Sequence, residues 1–491
     1  MLKSEVKKLI EPHFFENLHE ENYKIQTIRA LDCLNHNRFD LAFKILYLEM
    51  LDKDLQLAEQ VYMEHIRAFS LGTFTEPGNE AKSSIARFKS EFVKTFNSIK
   101  KSGFDPKKTL IPLSNDGVIA NGSHRVASAI ILDKNVDCVQ LETSTYIYDY
   151  KFFYERNVPK TVLDISAIKF VEYSERIYIA CVWPSAVGHE VEVEETIPNI
   201  VYAKNISLTP IGAHNLISHI YSGESWIGGA RNNFKGSRGK LVECFKTFEP
   251  VKFFAFQATN LAEAKIVKDS IRKIFGLGKH SVHITDTKEE AVRLARVVFN
   301  DNCVHFLNNA KPNKYPSTMQ QLGKFNDFLA SNQISPEDVV LDTGMVLSAY
   351  GVREAGDVDY LSNNTKQDLV EHIGINCHDD ELVHYRLKKS SLIYNQKFFF
   401  YFNGFKFLSF PSVYKMKINR DDEKDRNDCR LMEALIDDDF FKCFINKVKQ
   451  SLYYQRIKLR YRLKCLLKRL GLYPVAHFFY SACKKTISNF R

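Results

Sequence analysis

"LDTGMVLSAYGVREAGDVDYLS", residues 341–362, sets two aspartates one residue apart, Asp357 and Asp359, in an otherwise apolar run. Acidic and apolar residues alternate here, as on a strand, where both carboxylates would fall on one face. Neighbouring carboxylates repel, and a cation between them removes that cost. A divalent metal is therefore one expectation. A strand with two solvated aspartates on its exposed face is the plain alternative.

The chain around this stretch has 491 residues, too many for one core, and its length predicts about three domains. A composition of 45% hydrophobic and 26% charged residues excludes a disordered or fibrous class. No run of about 18 apolar residues occurs, and "MLKSEVKKLIEPHF" has no apolar core of signal-peptide type, so a cytoplasmic protein is expected. Ten cysteines without a CxxC pair argue against a zinc site and a disulfide framework. The net charge of +9 is unevenly placed: residues 440–491 hold thirteen Lys or Arg and no Asp or Glu, leaving residues 1–439 at −4. The basicity belongs to a tail, and no specific nucleic-acid partner is expected.

The pattern along the chain is α/β and α+β in several domains. Residues 1–60 read as a helical N-terminal segment, including "NYKIQTIRALDCLN" and "FDLAFKILYLEM". Residues 61–150 continue with "AEQVYMEHIRAF" and with "KSSIARFKSEFVKTFNSIKKSG", a helix expected to stop at Gly103, then strand, turn, helix and strand to about Glu142. Residues 151–310 form a mixed middle region. There "TVLDISAIKFVEYSERIYIACVWPSAV" reads as alternating strand and "GHEVEVEETIPN" as a loop, with helices at "LAEAKIVKDSIRKIF" and "TKEEAVRLARVVFN". "KPNKYPS" reads as a linker into a unit over 311–440, and 441–491 is the basic amphipathic tail.

The stretch "ISPEDVVLDTGMVLSAYGVREAGDVDYLS" resembles the nucleotidyltransferase superfamily of the DNA polymerase β-like fold, in which a glycine-opened helix precedes an Asp-x-Asp strand. The resemblance implies that Gly344 opens the helix beside a phosphate, with Arg353 in the turn, and that Asp357 and Asp359 hold Mg²⁺ as catalytic carboxylates. Downstream, "FFFYFNGFKFLSFPSVYKMKINRDDEKDRNDCRLMEALI" is similar to the end of small nucleotidyltransferases. It implies that Lys415 or Lys417 faces nucleotide phosphates, followed by Arg420, Lys424, Asp425 and Asp428. Met345 stands where the family carries Gly or Ser, and "FKFLSF" offers no third carboxylate; Asp379, Asp380 and Glu381 are the nearest substitutes.

A second constellation, "NDGVIANGSHRVASAI", places Gly122, Ser123, His124 and Arg125 between a strand and an apolar helix, a pattern suited to an anion. A cap that merely charges a helix start is the alternative. The residues resemble the ParB/sulfiredoxin fold, which implies binding of ATP, CTP or another nucleoside triphosphate at Gly122, Ser123, His124 and Arg125, and a small-molecule kinase activity. Glu76 and Lys82 are the nearest upstream candidates for a metal ligand or base.

In the middle region, the basic Gly-rich loop Arg231 to Lys240 and the turn Lys279-His280-Ser281 are candidates for binding phosphate or sugar. His280, His283 and Asp286 offer either a metal set or structural contacts. "GLGKHS" fails the GxxxxGK[ST] spacing and is not a P-loop. In the tail, residues 455–490, the leucines Leu459, Leu463, Leu466, Leu467 and Leu470 share a helical face ringed by Arg and Lys. That face suits an anionic membrane surface, with peripheral association at the inner membrane, or packing on the main body.

These readings together lead to an expected Mg²⁺-dependent phospho- or nucleotidyl-transferase, with a kinase step from the upstream domain, in bacterial capsule or O-antigen polysaccharide biosynthesis. Its substrates would be a nucleotide and a small-molecule or lipid-linked sugar acceptor. Two alternatives stand beside it: a nucleotide-sensing regulatory protein without turnover, and a nucleotidyltransferase toxin of a phage-defence pair.

Overall fold

A computed structural model describes residues 1–76, 82–363 and 372–437, together with scattered positions from 445 to 473. The chain is mixed α/β, with three sheets among the described residues, and it divides into two compact units, Met1–Val413 and Tyr414–Arg491.

The first sheet comprises β1 (Ile25–Arg29), β2 (Ile111–Leu113) and β3 (Asn135–Gln140), in the order β1-β3-β2. β1 runs antiparallel to β3 and β2 runs parallel to it, the β2–β3 crossover being the helix Ser123–Ile131. Three longer helices fill the same region: Asp40–Met50, Leu55–Phe69 and Ile85–Ser102. Asp54 and Ser84 cap the second and third by accepting N–H bonds from Leu57 and Arg87. Gly103 ends the third at φ +75°, as its sequence predicts.

β4 (Ile177–Val182), β5 (Ile200–Ile206), β6 (Val251–Gln257) and β7 (Val282–Ile284) form an antiparallel sheet in the order β5-β6-β4-β7. Val182, Phe254, Phe256, Val282 and Ile284 bury one face with Val267 and Ile271 of the helix Leu261–Phe275.

The third sheet holds β8 (Val339–Leu341), β9 (Val358–Ser362), β10 (Ile375–Cys377), β11 (Phe399–Phe402) and β12 (Phe405–Leu408), in the order β10-β9-β8-β12-β11. β8 pairs antiparallel to β9 and parallel to β12, while β9 pairs parallel to β10. Asn403 and Gly404 both take positive φ between β11 and β12, the conformation a two-residue hairpin turn needs. Phe306 stacks on Phe400 with centroids 4.6 Å apart, so the helix Asp301–Asn309 shares a core with this sheet.

Three sequence expectations are corrected here. "NYKIQTIRALDCLN" is strand β1 and a 3-10 turn rather than a helix; Ile25 and Ile28 mimic helical spacing, but their pairing with Val139 and Val136 wins. "TVLDISAIKFVEY", read as strand, is the helix Lys160–Tyr173, followed by β4. That helix buries residues on most of its circumference, from Val162 and Leu163 to Phe170 and Val171, which erases its amphipathic period. "GHEVEVEETIPN", read as a loop, contains the helix Glu190–Thr196 with Glu190 and Glu192 favourably placed in its first turn.

Candidate functional site

β8 ends at Leu341, the chain enters the helix Thr343–Ala349, and it returns as β9. Val358 and Tyr360 are buried, whereas Asp357 is exposed and Asp359 is half-buried on the opposite face. The Asp342 N–H donates to the Asp359 carbonyl at 2.8 Å, which brings a third carboxylate beside the pair. Thr343 Oγ1 donates to Asp359 Oδ2 at 2.9 Å, and Asn376 Nδ2 of β10 donates to Asp357 Oδ2 at 3.4 Å.

Asp342 is wholly buried and its oxygens are engaged. They accept the Thr343 N–H at 2.5 Å and the Tyr385 hydroxyl, and His378 Nδ1 lies 2.9 Å from Oδ2. Burial pushes the Asp359 carboxyl above its usual range; His378 opposes the rise, while Asp357 and Asp342 add to it. Burial works to lower His378, but its hydrogen bond to Asp342 and the charges of Asp342 and Asp359 raise it above an ordinary imidazole. The site is an acidic cluster in which His378 supplies part of the compensating charge.

The other residues of this region fall as follows. Gly344 is buried, and a Cβ there would meet Ala355 Cβ at 3.7 Å, an ordinary contact. Arg353 donates to the Glu354 carbonyl at 3.0 Å. Asp379 pairs with Lys389 at 2.8 Å, Glu381 lies 3.5 Å from His384, and Asp380 is exposed. Among the described residues, no group of three or more His, Cys, Asp or Glu is arranged to hold a metal ion. Two neighbouring carboxylates with hard oxygens still fit Mg²⁺, which takes one or two protein carboxylates and completes its shell with phosphate and water.

Lys415 and Lys417 belong to the second unit. Lys415 is exposed. Lys417 is buried, its ammonium 2.9 Å from Asp425 and 2.8 Å from Asp428, both fully buried. Burial opposes ionisation of Asp425, yet Arg420 Nε at 2.7 Å together with Lys417 holds its carboxyl down to about 2. Arg420, Asp425 and Asp428 thus form an ion-pair lock around Lys417.

Upstream, Gly122 takes φ +88°, and a Cβ there would come within 2.7 Å of Ile111 Cδ1 and 2.8 Å of Arg125 Nη2. Ser123 begins the helix that follows. His124 Nε2 lies 2.8 Å from the Tyr62 hydroxyl, and its ring packs edge-on against Phe92 at 4.5 Å. Burial, then Lys44 and Lys82, hold His124 well below an ordinary imidazole, so it is neutral. Arg125 Nη2 donates to Glu11 at 2.7 Å, with further bonds to Thr109 and the Leu110 carbonyl. Glu76 pairs with Lys82 at 2.6 Å. Behind them lies a buried row: Asp40 takes Arg38 and Lys44, each at 2.8 Å, and Lys44 Nζ lies 3.1 Å from His65 Nε2. Burial lowers Lys44 to about 8.

Lys279 and His280 lie on a turn that lines a cleft of about 840 Å³ with Lys240 and Arg272. His283 and Asp286 are engaged, by Glu290 at 3.0 Å and Lys268 at 3.5 Å. The tail reading falls mostly outside the described residues; of those described, Leu459, Leu463, Leu466 and Leu470 are exposed and Leu467 is half-buried. Among the described residues, no helix is long and apolar enough to cross a membrane.

Sequence reading missed Asp342, His378 and Tyr385; His378 and Tyr385 lie 36 and 43 residues after Asp342 and reach it through β10 and the helix Leu382–Tyr385 that follows it. Asp342 alone left a signal, an aspartate directly before a helix opening, where an N-cap belongs. No protein-family model matches this chain, and no curated protein or solved structure matches it either.

Proposed function

We propose that the chain is a Mg²⁺-dependent phospho- or nucleotidyl-transferase centred on Asp357 and Asp359, with a nucleoside triphosphate as donor. The observation that supports this reading is the cluster around β9: two neighbouring carboxylates, a third behind them, and a half-buried Asp359 that burial, Asp357 and Asp342 push above its usual range against the opposing pull of His378 and Thr343. When bound, Mg²⁺ would bridge donor phosphates and offset charge in an in-line displacement. Thr343 and Asn376 orient the two carboxylates, and Asp342 orients His378 beside them. A second nucleotide at Gly122–Arg125 would serve the kinase step, and its phosphate would have to exchange with Glu11 for Arg125. A lipid-linked acceptor in surface-polysaccharide assembly would suit the basic tail with its exposed leucines.

The test is calorimetry with ATP or CTP and Mg²⁺, alongside phosphate release, on the full chain and on Asp357→Asn/Asp359→Asn. Metal-dependent binding and turnover, both lost in the double variant, support the proposal. Metal-independent binding without turnover, unchanged by the variant, overturns it.

One observation favours the regulatory reading instead. His378, raised above an ordinary imidazole by Asp342 and Asp359, supplies when protonated part of the charge a metal would bring. On that reading the nucleotide binds without reaction, and His378→Ala would leave turnover absent.

A further inference from the structure

The cleft at the second sheet is separate from the carboxylate site. It lies between the end of the helix Pro210–Ile220, the loop over 221–236, the helix Leu261–Phe275 and the helix Lys288–Val298. Its cations include Lys240, Arg272, Lys279 and Arg293. Two of its four carboxylates are committed: Asp286 to Lys268 at 3.5 Å, and Glu290 to His283 at 3.0 Å and to the Asp286 N–H at 2.8 Å. The others, Glu224 and Glu289, are on exposed residues.

The donors facing the cleft are not all used. Arg272 Nε and His280 Nδ1 are both buried atoms without a hydrogen-bond partner, while the other side of the Arg272 guanidinium pairs through Nη1 with Asp269 at 3.3 Å. Buried polar atoms in folded proteins nearly always have one, so two in one cavity point to something they are meant to hold. Lys240, nine-tenths buried, donates to the Lys279 carbonyl, which fixes the turn carrying Lys279 and His280. Its ammonium lies 5.4 Å from the Tyr221 ring centroid.

Beside these cations stands a flat apolar surface. Trp226 is 47% exposed, its ring centroid 5.2 Å from that of Tyr221. The loop that presents it is tightly closed: the Gly236 N–H donates to the Ile227 carbonyl at 3.1 Å, and a Cβ on Gly236 would lie 2.8 Å from Ile227 Cα. A large aromatic held in water next to a ring of cations matches a ligand with a planar or ring-shaped body and an anionic end.

We propose that this cleft binds an organic phosphate: the phosphate lies among Arg272, Lys279 and His280, and the attached sugar or base ring lies against Trp226. Guanidinium, ammonium and imidazole together supply several charge-assisted donors to phosphate oxygens. The ring adds stacking that inorganic phosphate cannot provide.

The chain has two tryptophans, and Trp183 is fully buried, so only Trp226 can be touched by a ligand, and the fluorescence change lost in Trp226→Ala is the one that reports on it. Uridine diphosphate, glucose 1-phosphate and inorganic phosphate would each be titrated into the full chain without Mg²⁺, with calorimetry on the same samples. Saturable binding of either ester is expected, at least tenfold tighter than inorganic phosphate. It is expected to persist in Asp357→Asn/Asp359→Asn and to weaken tenfold or more in Lys279→Glu, whose exposed side chain can change without disturbing the core. Arg272→Gln is expected to weaken it similarly, and Trp226→Ala to reduce the preference for esters over inorganic phosphate. A response to uridine diphosphate alone assigns the ring as a base, and a response to glucose 1-phosphate alone as a sugar. No binding of either ester by both methods, equal affinity for inorganic phosphate, or binding untouched by Lys279→Glu and Arg272→Gln overturns the proposal.

Discussion

Thr343 holds Asp359: its hydroxyl donates to Oδ2 at 2.9 Å from a backbone at φ +29°, a conformation β-branched residues rarely adopt. Strain and a hydrogen bond meet in one residue, and substitution separates them. Thr343→Gly relieves the strain and loses the donor, two effects of about 1 kcal/mol each and opposite sign, so its stability should stay within about 1 kcal/mol of the parent. Thr343→Val keeps the strain, loses the donor, and should cost about 1–2 kcal/mol. Urea melts of both variants check this. Both should weaken Mg²⁺-dependent nucleotide binding if Asp359 is a ligand.

His378 gives the unit a pH dependence of known sign. Its folded pKa is raised, chiefly by Asp342 against the effect of burial, so its contribution is complete below about 6.5, the unfolded value. That contribution fades as pH climbs through the folded value. The melting temperature of the parent minus that of His378→Gln should therefore shrink as pH climbs through neutrality. A profile identical in parent and variant would refute the assignment.

Lys417 bridges Asp425 and Asp428, and both carboxylates are fully buried. Lys417→Met should cost about 3–5 kcal/mol, the penalty for removing one partner of a buried ion pair. Asp428→Asn in the same background should recover part of the loss. Chemical denaturation of the single and double variants measures the coupling.

Gly122 cannot accept a side chain. Gly122→Ala combines φ +88° with a methyl 2.7 Å from Ile111 Cδ1, and should destabilise by about 1–3 kcal/mol. Tyr62→Phe should cost about 1 kcal/mol through loss of its bond to His124. Thermal melts distinguish the two. If the segment takes a nucleotide, excess ATP should raise the melting temperature of Tyr62→Phe but not that of Arg125→Ala.

Where neighbours in the chain supply the structure, the sequence was readable. The helix Leu261–Phe275 follows from its Asn260 cap, its spacing of apolar residues and Gly276, and "VDYLS" forms the expected strand, with Asp359 on it and Asp357 just before its first residue rather than within it. The helix Lys160–Tyr173 was not readable, because a helix buried on most sides loses its period. The surroundings of Asp359 were hidden for another reason. His378 enters through β10 and Tyr385 through the short helix Leu382–Tyr385, and only strand order says that they meet Asp342. Arg125 looked like an anion ligand because Glu11, its partner, lies more than a hundred residues earlier.

The central position of β8 has a consequence for biosynthesis. Its two neighbours are β9, made soon after it, and β12, which pairs Phe407 with Leu341. On the ribosome, the edge of β8 facing β12 stays bare until the polypeptide has been extended past Leu408 and that segment has left the exit tunnel. A truncated translation product ending between β9 and β11 would expose this apolar edge to other nascent chains, a ready target for chaperones and a nucleus for aggregation.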